Sequence, residues 1–236
     1  MPDENFAMSL LPSGANRGGR PTTVQQIYAD LRHLIIDLSI KPGTVINKRE
    51  IAERFGVSQT PVREALILLE GEGLVDIFPQ SRTAVSYIDI QNAREAHFLR
   101  LSVEIEVARV LSQAVDKQDL ADLNAWVERQ ETELHIDNQT AFKLADNSFH
   151  NEMFRLAGVE GLTQIIDRRR GHYDRIRGLY LLVEERRHIV IREHRAIFAA
   201  LESRNPAAAE GAIRAHLGKS LAIVDQIRDR YPEYFA

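Results

Sequence analysis

The chain has no cysteine. Disulfides, thiolate zinc sites, iron–sulfur clusters and cysteine nucleophiles are excluded together, so any metal must be held by His, Asp, Glu or water. No apolar run approaches the roughly 18 residues of a membrane span, and the N-terminus lacks a basic segment followed by an apolar one, which points to a cytoplasmic protein. An excess of charge of one sign is also missing: 30 Lys and Arg stand against 34 Asp and Glu, a net charge of −4. Bulk charge therefore gives no hint of nucleic acid, and only local charge can. Helix-interrupting residues are scarce over a long stretch, with no proline between Pro79 and Pro206 and no glycine between Gly73 and Gly158. That stretch reads as helical.

What is present fits an ordinary globular protein: 236 residues, 44% hydrophobic and 27% charged, most simply two modest domains with real cores. Residues 1–20 have no hydrophobic period and carry Ser13, Gly14, Asn16, Gly18 and Gly19, the composition of a flexible leader. From Thr22 the positions Val24, Ile27, Tyr28, Leu31, Ile35 and Leu38 recur at helical spacing, with Thr22 or Thr23 as cap. After Lys41, Pro42 and Gly43, a two-turn helix from Lys48 to Phe55 stops at Gly56. Ser58 caps a third helix with Pro61 in its first turn, and LVDIF and TAVSYI around PQSR form a small hairpin.

Two short helices joined by a tight bend and followed by a hairpin make a winged helix-turn-helix over 21–88. Its second helix would read DNA. Ser58, Gln59, Thr60 and Arg63 begin that helix and supply hydroxyls for phosphate, an amide suited to adenine and a guanidinium suited to guanine. Lys48 and Arg49 begin the preceding helix, where they can hold the backbone, and Ser81, Arg82 and Thr83 lie at the wing tip. Over 41–63, Lys41, Lys48, Arg49, Arg54 and Arg63 face only Glu50 and Glu53, a local balance of +3.

The residues PG at 42–43, REIAERFGVS at 49–58, QTPVREAL at 59–66 and LEGEGLV at 69–75 resemble the winged-helix domain of the GntR family of bacterial transcription regulators. On that likeness Arg49 and Arg63 match DNA-contacting arginines, with Thr60 between them. Gln59 stands where the family often has arginine, and Ser81 with Arg82 replaces the usual arginine and glycine of the wing. Without that glycine a positive φ at the wing tip is less accessible.

The remainder, 89–230, reads as an all-helical bundle with antiparallel neighbours, its helices expected at 90–114, 118–136, 139–157, 161–182, 185–203 and 206–229. Asn205 as cap and Pro206 at the first helical position make the last start the clearest. Asp146 and His150 are four residues apart and share a helix face, while His194 and His216 sit among apolar residues of two later helices. Side chains projecting inward from facing helices are how bundles build metal sites.

RLSVEIEVARV from 100, Asp146 and His150 in DNSFH, His194 in EHRAIFAAL and His216 in RAHL resemble the FCD ligand-binding domain of the FadR subfamily of GntR regulators. The resemblance implies that Asp146, His150, His194 and His216 hold a divalent metal. Imidazoles with one carboxylate suit zinc, nickel or manganese, zinc being the first expectation. It further implies a small carboxylate effector at that metal, with Arg100 matching the family arginine that faces the cavity; Asn147 and His172 are further candidate effector contacts. Arg100 has a second reading, a salt bridge to Glu104 four residues on.

The function expected is therefore a metabolite-responsive regulator, a repressor, binding double-stranded DNA at a palindromic operator as a homodimer. One alternative is a FadR-like regulator without metal that binds an acyl thioester. A metal-dependent hydrolase is the other class, but no separate general base or nucleophile motif accompanies the cluster, and the chain is expected not to be an enzyme.

Overall fold

The structure is a computed structural model that describes residues 23–236. The expected leader at 1–20 and the Thr22 cap lie outside the described residues. The regular elements of the described residues are helices apart from one small hairpin, and the chain divides into two compact units.

The first unit contains α1 (Thr23–Ile36), α2 (Lys48–Phe55), α3 (Gln59–Gly71), β1 (Val75–Ile77) and β2 (Thr83–Val85). In its core Ile27, Leu31 and Ile35 of the expected α1 stripe pack with Ile51 of α2, Val62, Leu66 and Leu69 of α3, and Val75 and Val85 of the hairpin, while Leu68 of α3 is exposed. Asn47 caps α2 by accepting from the amides of Arg49 and Glu50, and Gly56 ends it in the left-handed region at φ 65°. That conformation suits glycine and turns the chain sharply into α3. The hairpin is antiparallel, with Val75 opposite Val85 and Ile77 opposite Thr83. At its tip Gln80 takes φ 55°, so this wing reaches a positive φ without glycine. The Tyr28 hydroxyl and the Arg32 guanidinium both donate to Glu72 and fasten α1 to the chain just past α3.

The second unit is a bundle of α4 (Ile90–Ala114), α5 (Lys117–His135), α6 (Gln139–Leu156), α7 (Gly161–Arg169), the end of α8 (Gly171–Tyr180), α9 (Glu184–Glu202) and α10 (Pro206–Leu217), followed by short α11 (Lys219–Ala222) and most of α12 (Val224–Arg230). Asp116 and Asp119 form a reciprocal capping box on α5, and Asn205 caps α10 by accepting from the Ala208 amide. Leu123, Val127, Phe142, Phe149, Met153, Ile197, Leu201 and Ile213 are buried.

Three expectations need correction. The helix expected at 161–182 is two helices, broken at Arg170 just before Gly171, where glycine weakens a helix and leaves room for Leu74: a β-carbon there would come within 2.7 Å of that side chain. The helix expected at 206–229 is interrupted at Gly218 and again at Ile223; glycine and a β-branched residue both weaken a helix interior. The division is also not contiguous at residue 88. Gly171–Gly178 and Arg228–Ala236 cluster with the first unit, the latter through a bridge between Phe235 and Ile88.

Candidate metal centre and nucleic-acid interface

Five helices of the bundle contribute to one buried polar cluster. Asp146 and His150 project from consecutive turns of α6, His194 from α9 and His216 from α10, all four buried. One ligand atom from each lies within 4.8 Å of all the others. The Nε2 of His216 is 3.1 Å from that of His150 and 3.2 Å from that of His194, and His194 Nε2 is 3.6 Å from Asp146 Oδ1. Phe149 stacks on the His194 ring at 4.3 Å between centroids, walling the site with an apolar face.

The outward nitrogens explain this convergence. His150 Nδ1 is 2.7 Å from Glu104 of α4, His194 Nδ1 is 2.6 Å from the Gln130 carbonyl of α5, and His216 Nδ1 is 3.1 Å from Glu193 of α9. Carboxylate and carbonyl oxygens accept, so each Nδ1 donates and each neutral ring presents the lone pair of its Nε2 inward. Three inward lone pairs beside a carboxylate repel one another unless a cation lies among them. Partners of this kind fix ring orientation and tautomer at metal sites. The donor set therefore fits a divalent metal.

Electrostatics agree with a neutral His150. Burial lowers the affinity of His150 for a proton despite the adjacent Glu104. Burial alone would raise the Glu104 carboxyl, but the Arg100 charge and the hydrogen bonds from Arg100 and His150 outweigh it and hold Glu104 well below the usual carboxylate range. Arg100 itself is 1% exposed and places Nε 2.5 Å from Glu104, the salt bridge that was its second reading.

Of the other expected effector contacts, Asn147 follows Asp146 on α6 and accepts from Arg170 at 3.3 Å. His172 belongs to the first unit instead. There its Nδ1 accepts from the Asp89 amide at 2.9 Å and lies 2.8 Å from Arg175, which in turn donates to the Ser86 carbonyl at 2.7 Å. Burial and the neighbouring Arg175 push His172 down to about 4, and burial pushes Arg175 down to about 10.

Sequence reasoning missed Glu104 as a histidine partner, and Gln130 and Glu193 altogether. Gln130 carried a signal, since it continues the buried stripe of Leu123 and Val127 on α5 and is a polar residue on an apolar face.

In the first unit, Lys48, Arg49, Gln59, Ser81 and Arg82 line one groove between the starts of α2 and α3 and the wing. Ser58, Gln59, Thr60 and Arg63 are exposed at the first turn of α3, and the Ser58 hydroxyl makes no capping bond. Arg49 is exposed with Nε on Glu53 at 2.8 Å, and Arg82 lies over the Phe78 ring. Thr83 also lines the groove but is itself 2% exposed.

Known proteins share both units. Residues 95–219 match the FCD domain, and residues 23–85 match the family described as bacterial regulatory proteins, gntR family. An uncharacterised HTH-type transcriptional regulator in an unstable DNA locus of Streptomyces ambofaciens is 35% identical over 222 residues, 94% of this chain and 93% of its own length. The HTH-type transcriptional repressor RspR of Escherichia coli is 31% identical over 212 residues, 90% of this chain and 93% of that one. Among solved structures, E. coli McbR/YncC superposes with a TM-score of 0.74 at 19% identity, over 88% of this chain and 99% of that one, which shows a shared fold. The chain is thus a bacterial DNA-binding transcription regulator, not an enzyme: it belongs to the GntR family and joins a helix-turn-helix domain to an FCD domain.

Proposed function

We propose that the protein is a repressor that binds a palindromic operator as a homodimer in the cytoplasm and is controlled by a small carboxylate metabolite bound at a divalent metal in the FCD domain. The observation that carries this reading is the inward convergence of three Nε2 atoms on Asp146, each ring held from behind by a separate acceptor. Asp146, His150, His194 and His216 hold the ion, with zinc preferred and nickel or manganese compatible. When bound, the ion supplies a Lewis-acidic point for an effector carboxylate. Arg100, fixed by Glu104, is assigned to the effector's second carboxylate, and Asn147 to a further polar contact.

In the DNA-binding unit, Gln59 and Arg63 face base edges while Lys48, Arg49, Ser58, Thr60 and Arg82 hold phosphates. RspR, a relative of known name, is described as a repressor, and that supports the sign of regulation assigned here. The effector works only through its differential affinity for the DNA-competent and incompetent states, typically about 1 to 3 kcal/mol.

The test is metal content by elemental analysis alongside operator binding. His194→Ala should lose the metal and the effector response while keeping DNA affinity without effector. A variant with full metal content would refute the ligand assignment.

A further inference from the structure

We propose that Gln130 is a positioning residue that sets the tautomer of His194 and aims Asp146, and thereby decides whether the cluster takes up a divalent cation. The inference rests on the metal reading above. Gln130 is 0% exposed and lies on α5, which contributes no ligand of its own. Its Nε2 is 3.3 Å from Asp146 Oδ1 and its Oε1 is 2.6 Å from His194 Nδ1.

The proton positions follow by elimination. An ionised carboxylate only accepts, so the amide NH2 must face Asp146. The carbonyl end then faces His194, and because it also only accepts, Nδ1 must carry the ring proton. The lone pair is left on Nε2, the atom 3.2 Å from His216 Nε2 and 3.6 Å from Asp146 Oδ1. One amide thus fixes the proton inventory of two ligands carried by two other helices.

The other two imidazoles are held by carboxylates, Glu104 and Glu193, and only the His194 partner is neutral. The choice has a reason in the contact with Asp146. A glutamate here would still accept from Nδ1 but would put a second carboxylate against Asp146, and would have to be protonated to donate to it. Methionine matches the length of glutamine and fills the same apolar face, yet it can neither accept strongly from Nδ1 nor donate to Asp146. Packing and proton placement are therefore separable by substitution.

The experiment measures zinc affinity of the full-length chain by competition with a chromophoric chelator, with circular dichroism of the metal-free protein as the folding control. Gln130→Met should weaken zinc binding by roughly 10- to 100-fold while the metal-free protein stays folded. The long-range 1H–15N spectrum of metal-free wild type should show His194 protonated at Nδ1, and that of Q130M a mixture of tautomers. Zinc affinity in Q130M equal to wild type would overturn the role of Gln130 alone. So would a wild-type His194 protonated at Nε2, a result that needs no variant to fold. A wild-type chain that takes up no zinc would instead overturn the metal reading, and this inference with it.

Discussion

His150 and His216 approach nitrogen to nitrogen, Nε2 to Nε2 at 3.1 Å, while their Nδ1 atoms are bonded outward to Glu104 and Glu193. Two neutral rings held this way by carboxylates turn lone pair to lone pair. The contact suits a shared cation, and a metal bound there, as proposed, would add to the stability of the bundle.

Zinc should accordingly raise the melting temperature of the wild-type protein. At about 100 times its dissociation constant it contributes about 2.7 kcal/mol if it binds only the folded state. Calorimetry with and without zinc measures this. His150→Ala with His216→Ala should abolish the shift, and a shift that persists would place the ion elsewhere.

Arg63 stands exposed in the first turn of α3. Arg63→Ala should weaken binding to a selected operator by about 1 to 3 kcal/mol and relax base preference at one position, whereas Lys48→Ala should weaken binding to all duplexes and lower the salt slope by about 1. Titrations at several salt concentrations separate these roles. Unchanged affinity in Arg63→Ala removes it from base reading.

His172 links acidity to the DNA-binding unit. Its folded value is lowered to about 4, so the folded state binds fewer protons than the unfolded one in mild acid. The stability it confers is complete above about pH 6.5, the ordinary imidazole value, and falls away toward pH 4 by up to about 3 kcal/mol. Hydrogen-exchange protection of α3 amides should drop between pH 7 and pH 5 in wild type and drop less in His172→Gln. An equal drop in both would assign the effect to other groups.

Leu69 is 0% exposed in the core of the first unit. Leu69→Ala should cost about 2 to 5 kcal/mol of that unit's stability through lost contact and a residual cavity. Limited proteolysis should cut α1 and α3 sooner, while zinc uptake is retained. Loss of zinc uptake would argue against separate cores.

Much of this was legible in the sequence because it depends on local rules. The α1 stripe, the Gly56 stop, the Asn205 and Pro206 start and the Asp146 and His150 spacing are each set by residues within a few positions of one another. The four proposed ligands were named on a family likeness and do meet at one point. What stayed hidden depends on partners distant along the chain. Gly171 leaves the room that the Leu74 side chain occupies, and His172 is engaged by Asp89, 83 positions away. Arg100 looked equally suited to an effector or to Glu104; only the structure shows that Glu104 also holds His150. Gln130 is a polar residue on the apolar stripe of α5, but its partners Asp146 and His194 lie 16 and 64 positions away.

The most direct test of the metal centre is X-ray absorption at the zinc edge of the zinc-loaded, effector-free protein. The account predicts about three imidazole nitrogens and at least one oxygen at about 2.0 to 2.2 Å, with the imidazole signal reduced in His194→Ala. A spectrum without imidazole scattering, or one unchanged by that substitution, would contradict it.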